Sequence, residues 1–200
     1  MRRALLVGAL CLALAGCGAT TSPEPPTPVA PASGTTATHV ADPVRVVIPK
    51  LGVTDDVVPV GLCERTSEPD CPDGKGSLEV PPVEHTGWYR PGPEPGEDGA
   101  AILAGHVNWK GEAGALGRIG ELADGDLVTV VDKTGIERTF VVDDVVQIPK
   151  AEYQRRVVPL LSDRAGGPKL YLVTCSGRVV NHEYLDNTIV SAHPLAEVAP

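Results

Sequence analysis

The chain is 200 residues long, 42% hydrophobic and 22% charged, with a formal net charge of −9 at pH 7. That length is enough for one domain with a real core, and the acidic balance argues against nucleic acid or a polybasic membrane contact as partner. Aromatics are only 4% of residues, so a core must rest mostly on Val, Leu and Ile.

Arg2 and Arg3 precede an apolar stretch over residues 4–15. It is too short to span a bilayer comfortably and is shaped like the core of a signal peptide. Leu14-Ala15-Gly16-Cys17 then reads as a lipobox, the cleavage site before a cysteine that receives lipid; the alternatives are an ordinary secretory peptide or an uncleaved anchor. Removing residues 1–16 takes away two of the 17 basic residues and none of the 26 acidic ones, so the net charge falls from −9 to −11. Residues 18–41 are rich in Thr, Ala and Pro, with Glu24 as the only Asp, Glu, Lys or Arg. Without apolar periodicity they read as a disordered or polyproline-like tether, reaching about 25–30 Å as a coil and about 75 Å extended. The expected organisation is a lipoprotein signal peptide over 1–16, a lipidated Cys17 with its tether over 17–42, and a catalytic domain over 43–200.

Within that domain, apolar and β-branched runs predict strands over 44–48, 57–62, 101–106, 127–132, 138–146, 170–174 and 187–192. The 20 prolines and 22 glycines break the chain throughout, and Asp132-Lys133-Thr134-Gly135 suits a hairpin turn. The best helical stretch, 112–122, is interrupted by Gly114, Gly117 and Gly120. Seven or eight strands with little helix predict a closed β-barrel or a sandwich.

Five cysteines suit an oxidising exterior. Cys11 leaves with the signal peptide and Cys17 is acylated. Cys63 and Cys71 flank seven polar or turn-forming residues, a loop a disulfide can close for about 2.5 kcal/mol. A metal pair there lacks supporting His or Cys neighbours. That reading leaves Cys175 as the one thiol assigned to neither a disulfide nor a lipid.

Cys175 ends the apolar run Leu170-Tyr171-Leu172-Val173-Thr174, and Ser176-Gly177 behind it predicts that the chain turns at once. Ala101-Ile102-Leu103-Ala104-Gly105-His106 is a second apolar strand, ending in an imidazole. A thiol and a base at two strand ends are what nucleophilic acyl transfer needs. Taken singly, the Cys reads as a buried core thiol and the His as a hydrogen-bonded loop residue. Among the other histidines, His39 lies in the tether, His193 near the C-terminus, and His85 and His182 beside loops that can line a cleft; none follows an apolar strand as His106 does. Asp55-Asp56 and Asp143-Asp144 read as solvated turns rather than a calcium site. With no metal-ligand or phosphate-loop spacing, neither metal nor cofactor is expected.

Together these segments resemble the sortases, cysteine transpeptidases of Gram-positive cell surfaces, and most nearly their actinobacterial class F. The resemblance runs from about Pro43 to Ala192, through Val47-Ile48-Pro49-Lys50-Leu51-Gly52-Val53, Thr86-Gly87-Trp88-Tyr89, Pro95-Gly96, Ala104-Gly105-His106, Leu122-Ala123-Asp124-Gly125-Asp126, Val173-Thr174-Cys175 and Tyr184-Leu185-Asp186-Asn187-Thr188-Ile189-Val190. It implies a mainly β fold: a closed eight-stranded β-barrel with short helices and long loops, Cys175 and His106 at adjacent strand ends. It implies a hydrolase-class cysteine transpeptidase that cuts a Leu-Pro-x-Thr-Gly-like sorting signal through an acyl-thioester. The product would be joined to an amine of a cell-wall precursor or pilin, outside the cell membrane on a lipid anchor. The resemblance also implies an Arg at the start of the last strand, steadying substrate and oxyanion; here Asn187 stands at the best-matching position. Arg178, three residues past the thiol, is the nearest cation and the favoured substitute, with Thr174 holding the geometry or touching substrate through its hydroxyl. Two rivals remain: a non-catalytic sortase-like peptide-binding lipoprotein, and an L,D-transpeptidase, whose Ser-x-Gly-Cys context is not supplied here.

Overall fold

The computed structural model describes residues 40–64 and 76–196. The expected signal peptide, Cys17, most of the tether and Cys71 lie outside them. Eight strands close a barrel: β1 (Pro43–Ile48), β2 (Val53–Val60), β3 (Thr86–Tyr89), β4 (Gly99–Ala104), β7 (Leu127–Asp132), β8 (Glu137–Pro149), β9 (Pro168–Val180) and β10 (Glu183–Pro194). Their order around the barrel is β1-β2-β3-β4-β9-β10-β8-β7. The β2–β3 and β4–β9 pairs are parallel and the rest antiparallel. A two-stranded hairpin, β5 (Asn108–Trp109) with β6 (Glu112–Ala113), stands apart from the barrel sheet.

The barrel follows from alternation. Val46 and Ile48, Ala101 and Leu103, Val128 and Val130, Phe140 and Val142, Leu170 and Leu172, and Val190 and Ala192 all share the inner core. These pairs two residues apart are what a pleated strand with one face inward requires. On β4, β9 and β10 the alternate residues Ile102, Val173 and Ile189 are buried too, under Val157 and Leu161. Burial on both faces explains why these strands read as unbroken apolar runs. On β8 a bulge near Asp143 shifts the register, so Val145 packs on the inner core while Val146 and Ile148 join the outer cluster. At the β7–β8 turn, Asp132 Oδ1 accepts hydrogen bonds from the Thr134 hydroxyl and from the amides of Thr134 and Ile136, and Oδ2 pairs with Arg138 at 2.7 Å.

Three expectations are corrected. The stretch 112–122 is not a helix: it holds β6 and a 3-10 turn at Ile119–Glu121. Gly114 and Gly117 are there for close approach, since a Cβ would collide with the carbonyl of His106 at the first and of Val107 at the second. The one α-helix among the described residues is α1 (Lys150–Arg156), which contains no buried residue and so carries no apolar stripe to predict it from. Asp55-Asp56 and Asp143-Asp144 lie on β2 and β8, not in turns. Finally, Cys175 does not end its strand: β9 continues to Val180 and turns back through Asn181 and His182, both at positive φ, as a two-residue hairpin turn demands.

Candidate active site

Parallel pairing of β4 with β9 matches Ala104 to Val173. His106 and Cys175 each lie two residues further on, so both emerge at the same end of the barrel. The loop carrying His106 is tied to β9 twice: Gly105 N donates to Val173 O at 3.2 Å, and Thr174 Oγ1 donates to Gly105 O at 2.7 Å. Gly114 N, donating to Val107 O at 2.9 Å, holds the far side.

The strand carrying Cys175 bends just past the sulfur. Ser176 pairs with Asp186 and Val179 with Tyr184, so Gly177 and Arg178 together face one residue, Leu185. This is a β-bulge with its glycine at φ 77°, where a Cβ would collide with Asp186. Cys175 is therefore half-buried at the barrel rim although its strand runs on. It is not in a disulfide, whereas Cys63 is; Cys71, the expected partner of Cys63, lies outside the described residues.

His106 Nε2 lies 3.1 Å from the carbonyl oxygen of Pro81. A carbonyl only accepts, so Nε2 carries the hydrogen and Nδ1 is the basic nitrogen of the neutral ring. Burial pushes the imidazole pKa below its ordinary 6.5, and the Pro81 hydrogen bond opposes this in part. The Trp109 ring sits 5.7 Å from that of His106 and is half-exposed, with Lys110 Nζ 6.0 Å from its centre. Asn108 Nδ2 donates to Tyr184 Oη at 3.1 Å, so the β5–β6 hairpin reaches across to β10.

Asn187 is paired with Cys175 directly across β9–β10. Opposed residues point to one face with Cβ atoms about 5 Å apart. Its amide donates to Thr174 O at 3.3 Å, leaving a second N–H. Asn187, Thr174, Cys175 and His106 all line one cavity of about 550 Å³, together with Trp109 and His182. Arg178 is exposed and not among its lining residues. His85 lies away from it, and His193 pairs with Asp143 at 2.6 Å elsewhere on the barrel. Among the described residues no group of three or more His, Cys, Asp or Glu is placed to hold a metal ion.

Sequence reasoning missed Pro81, the β5–β6 hairpin and the direct pairing of Asn187 with Cys175. Only the hairpin left a signal, Lys110-Gly111 at positive φ between Trp109 and Glu112, a turn-forming dipeptide. A thiol, an imidazole and an amide donor around one half-buried cavity are equipped for acyl transfer: attack, proton shuttling and charge stabilisation.

A comparison with curated protein sequences found no match. Among solved structures, sortase C-1 from Actinomyces oris matches with a TM-score of 0.54 at 20% identity, covering 78% of this chain and 75% of that one. Sortase C1 from Streptococcus suis matches at 0.56 and 19%, covering 79% and 75%. Sortase A from Corynebacterium diphtheriae matches at 0.55 and 16%, covering 80% and 62%. At these identities the likeness speaks for the fold, a mainly β closed barrel of eight strands. The sortase-domain family model matches residues 46–195, and on that match the chain belongs to the sortase family of cysteine transpeptidases.

Proposed function

We propose that the protein is a surface-anchored transpeptidase that cleaves a Leu-Pro-x-Thr-Gly-like sorting signal and joins the freed carboxyl to an amine of a cell-wall precursor or pilin. The observation that carries this is the parallel β4–β9 register, which brings His106 and Cys175 to one cavity. In this reading Cys175 Sγ attacks the Thr carbonyl, its proton passing to Nδ1 of His106. Collapse breaks the C–N bond and His106 returns that proton to the departing amine, leaving an acyl-thioester. A second amine then attacks the thioester and the thiol is regenerated. With its pKa lowered by burial, the neutral imidazole is the form that takes up the thiol proton in this reading.

The oxyanion would be met by Asn187, whose second amide hydrogen faces the same side of the sheet as the sulfur, and by backbone N–H groups nearby. Arg178 has less claim, being exposed beyond the bulge. The class F subtype, the lipid anchor on Cys17 and an extracytoplasmic location belong to the same proposal and rest on the sequence motifs. Asn187 in place of an Arg favours one rival, a peptide-binding barrel without catalysis. Incubating the protein with a library of Leu-Pro-x-Thr-Gly-like peptides and an amine separates them by mass spectrometry. Cleaved and amine-joined products support the enzyme; saturable binding with no product supports the rival.

A further inference from the structure

One wall of the cavity is the segment 77–81, every residue of which lines it, although none belongs to a barrel strand. Residues 61–63 hold its near end in a short antiparallel ladder around the Leu62–Leu78 bridge. Cys63 N donates to Ser77 O at 2.9 Å, Gly76 N to Cys63 O at 2.8 Å, and Glu79 N to Gly61 O at 3.1 Å. Glu79 Oε2 accepts from Gly61 N at 2.6 Å, and the Ser77 hydroxyl donates to Cys63 Sγ at 3.4 Å. Two residues past Glu79, the Pro81 carbonyl takes the Nε2 hydrogen of His106 at 3.1 Å. Cys63, 2% exposed and in a disulfide, thus sits at the root of the segment whose far end orients the imidazole. So short a two-stranded piece is marginal by itself, and a covalent tie at its end restricts how far it can stray. The barrel ladder includes none of these residues, so the barrel does not depend on the tie.

We propose that Cys63, through its disulfide, is a positioning residue for His106. The bridge holds residues 77–81 in place, and the Pro81 carbonyl passes that placement to the imidazole as a fixed Nε2–H tautomer. The consequence for catalysis rests on the transpeptidase reading. Only the Nε2–H tautomer leaves Nδ1 bare to take the thiol proton, and a ring that turns or moves its hydrogen to Nδ1 loses that role. The chain therefore needs two cysteines in opposite redox states: Cys63 oxidised and Cys175 a thiol. Its base is ordered where disulfides form, and the protein is a poor catalyst in a reducing compartment. A disulfide that merely closed its own loop would add stability and leave the ring as it is.

Nitrogen-15 NMR of the histidine rings in the full chain reads the tautomer without any substrate, at a pH where the imidazoles are neutral and with His106→Gln for assignment. Dithiothreitol reduces the Cys63 disulfide to two thiols and leaves as a cyclic disulfide, with two electrons and two protons exchanged. Cys71→Ser removes the expected partner outright. His106 of the oxidised protein should show the Nε2–H tautomer alone. The reduced protein and Cys71→Ser should show exchange between both tautomers, and kcat for sorting-peptide cleavage should fall about tenfold to a hundredfold. Reoxidation of the wild type should restore both. Glu79→Ala removes the side-chain tie to Gly61 with the disulfide intact and should shift the tautomer part-way; it decides the case if circular dichroism shows that the reduced chain has unfolded. An unchanged tautomer in the reduced protein and in Glu79→Ala, or a folded reduced protein with wild-type kcat, would overturn the proposal. A wild type that cleaves no sorting peptide would instead remove the transpeptidase reading, and the tautomer comparison would still decide whether Cys63 positions the ring.

Discussion

The bond from Thr174 Oγ1 to Gly105 O is the shortest tie between the strand bearing the nucleophile and the loop bearing His106, at 2.7 Å. Thr174→Val keeps the side-chain volume at this buried position, 4% exposed, and removes only the donor. Gly105 then keeps its amide bond to Val173 at 3.2 Å, and the ring keeps its contact with Pro81. The net loss of one hydrogen bond is about 1 kcal/mol, worth about 2–4 °C in Tm for a domain of this size. The effect on rate should be larger. Misplacing a catalytic group by about 1 Å costs about 10²-fold, so kcat should drop between about tenfold and a hundredfold as His106 loosens. Thermal melts and steady-state cleavage of a quenched fluorescent sorting peptide measure both, and Thr174→Ser, which keeps the hydroxyl, should restore most of the activity. A Thr174→Val protein with wild-type kcat would refute this role. A loss confined to KM would instead mean that the hydroxyl touches substrate.

Three further outcomes follow from the same geometry. Asn187→Ala should lower kcat by about 10²-fold and Arg178→Ala by less than about threefold; the reverse order would return the oxyanion to Arg178. Because burial lowers the imidazole pKa and the neutral ring is the base, the acid limb of kcat/KM should have its midpoint below 6.5, the activity falling as His106 gains a proton; a limb at or above 6.5 contradicts this. Metabolic labelling with a fatty-acid probe should mark the wild-type protein and not Cys17→Ser, and an unlabelled wild type would remove the lipid anchor.

What was legible in the sequence was what alternation or apolar runs encode. The span 127–132 was read to the residue because Val128, Val130 and Asp132 point inward between more exposed neighbours. The inner stretches of β4 and β9, 101–104 and 170–173, were legible as apolar runs leading to His106 and Cys175. Strand β3 was not, since it is four residues long, contains Gly87 and is buried throughout, so it has neither length nor period. The course of β9 beyond Cys175 was misread because Ser176-Gly177 looks the same as a turn or as a bulge; the choice depends on Asp186 across the ladder. Pro81 is invisible in sequence for a related reason. Its contribution is a backbone carbonyl, which every residue has.

The central claim is that Cys175 forms the acyl-enzyme. Intact-mass spectrometry after mixing the protein with a Leu-Pro-x-Thr-Gly-like peptide, without added amine, tests it most directly. The protein should gain a mass equal to the acyl half of the peptide, mapped to Cys175, discharged by hydroxylamine and absent from a folded Cys175→Ala protein. An adduct on another residue, or undiminished cleavage by Cys175→Ala, would contradict it.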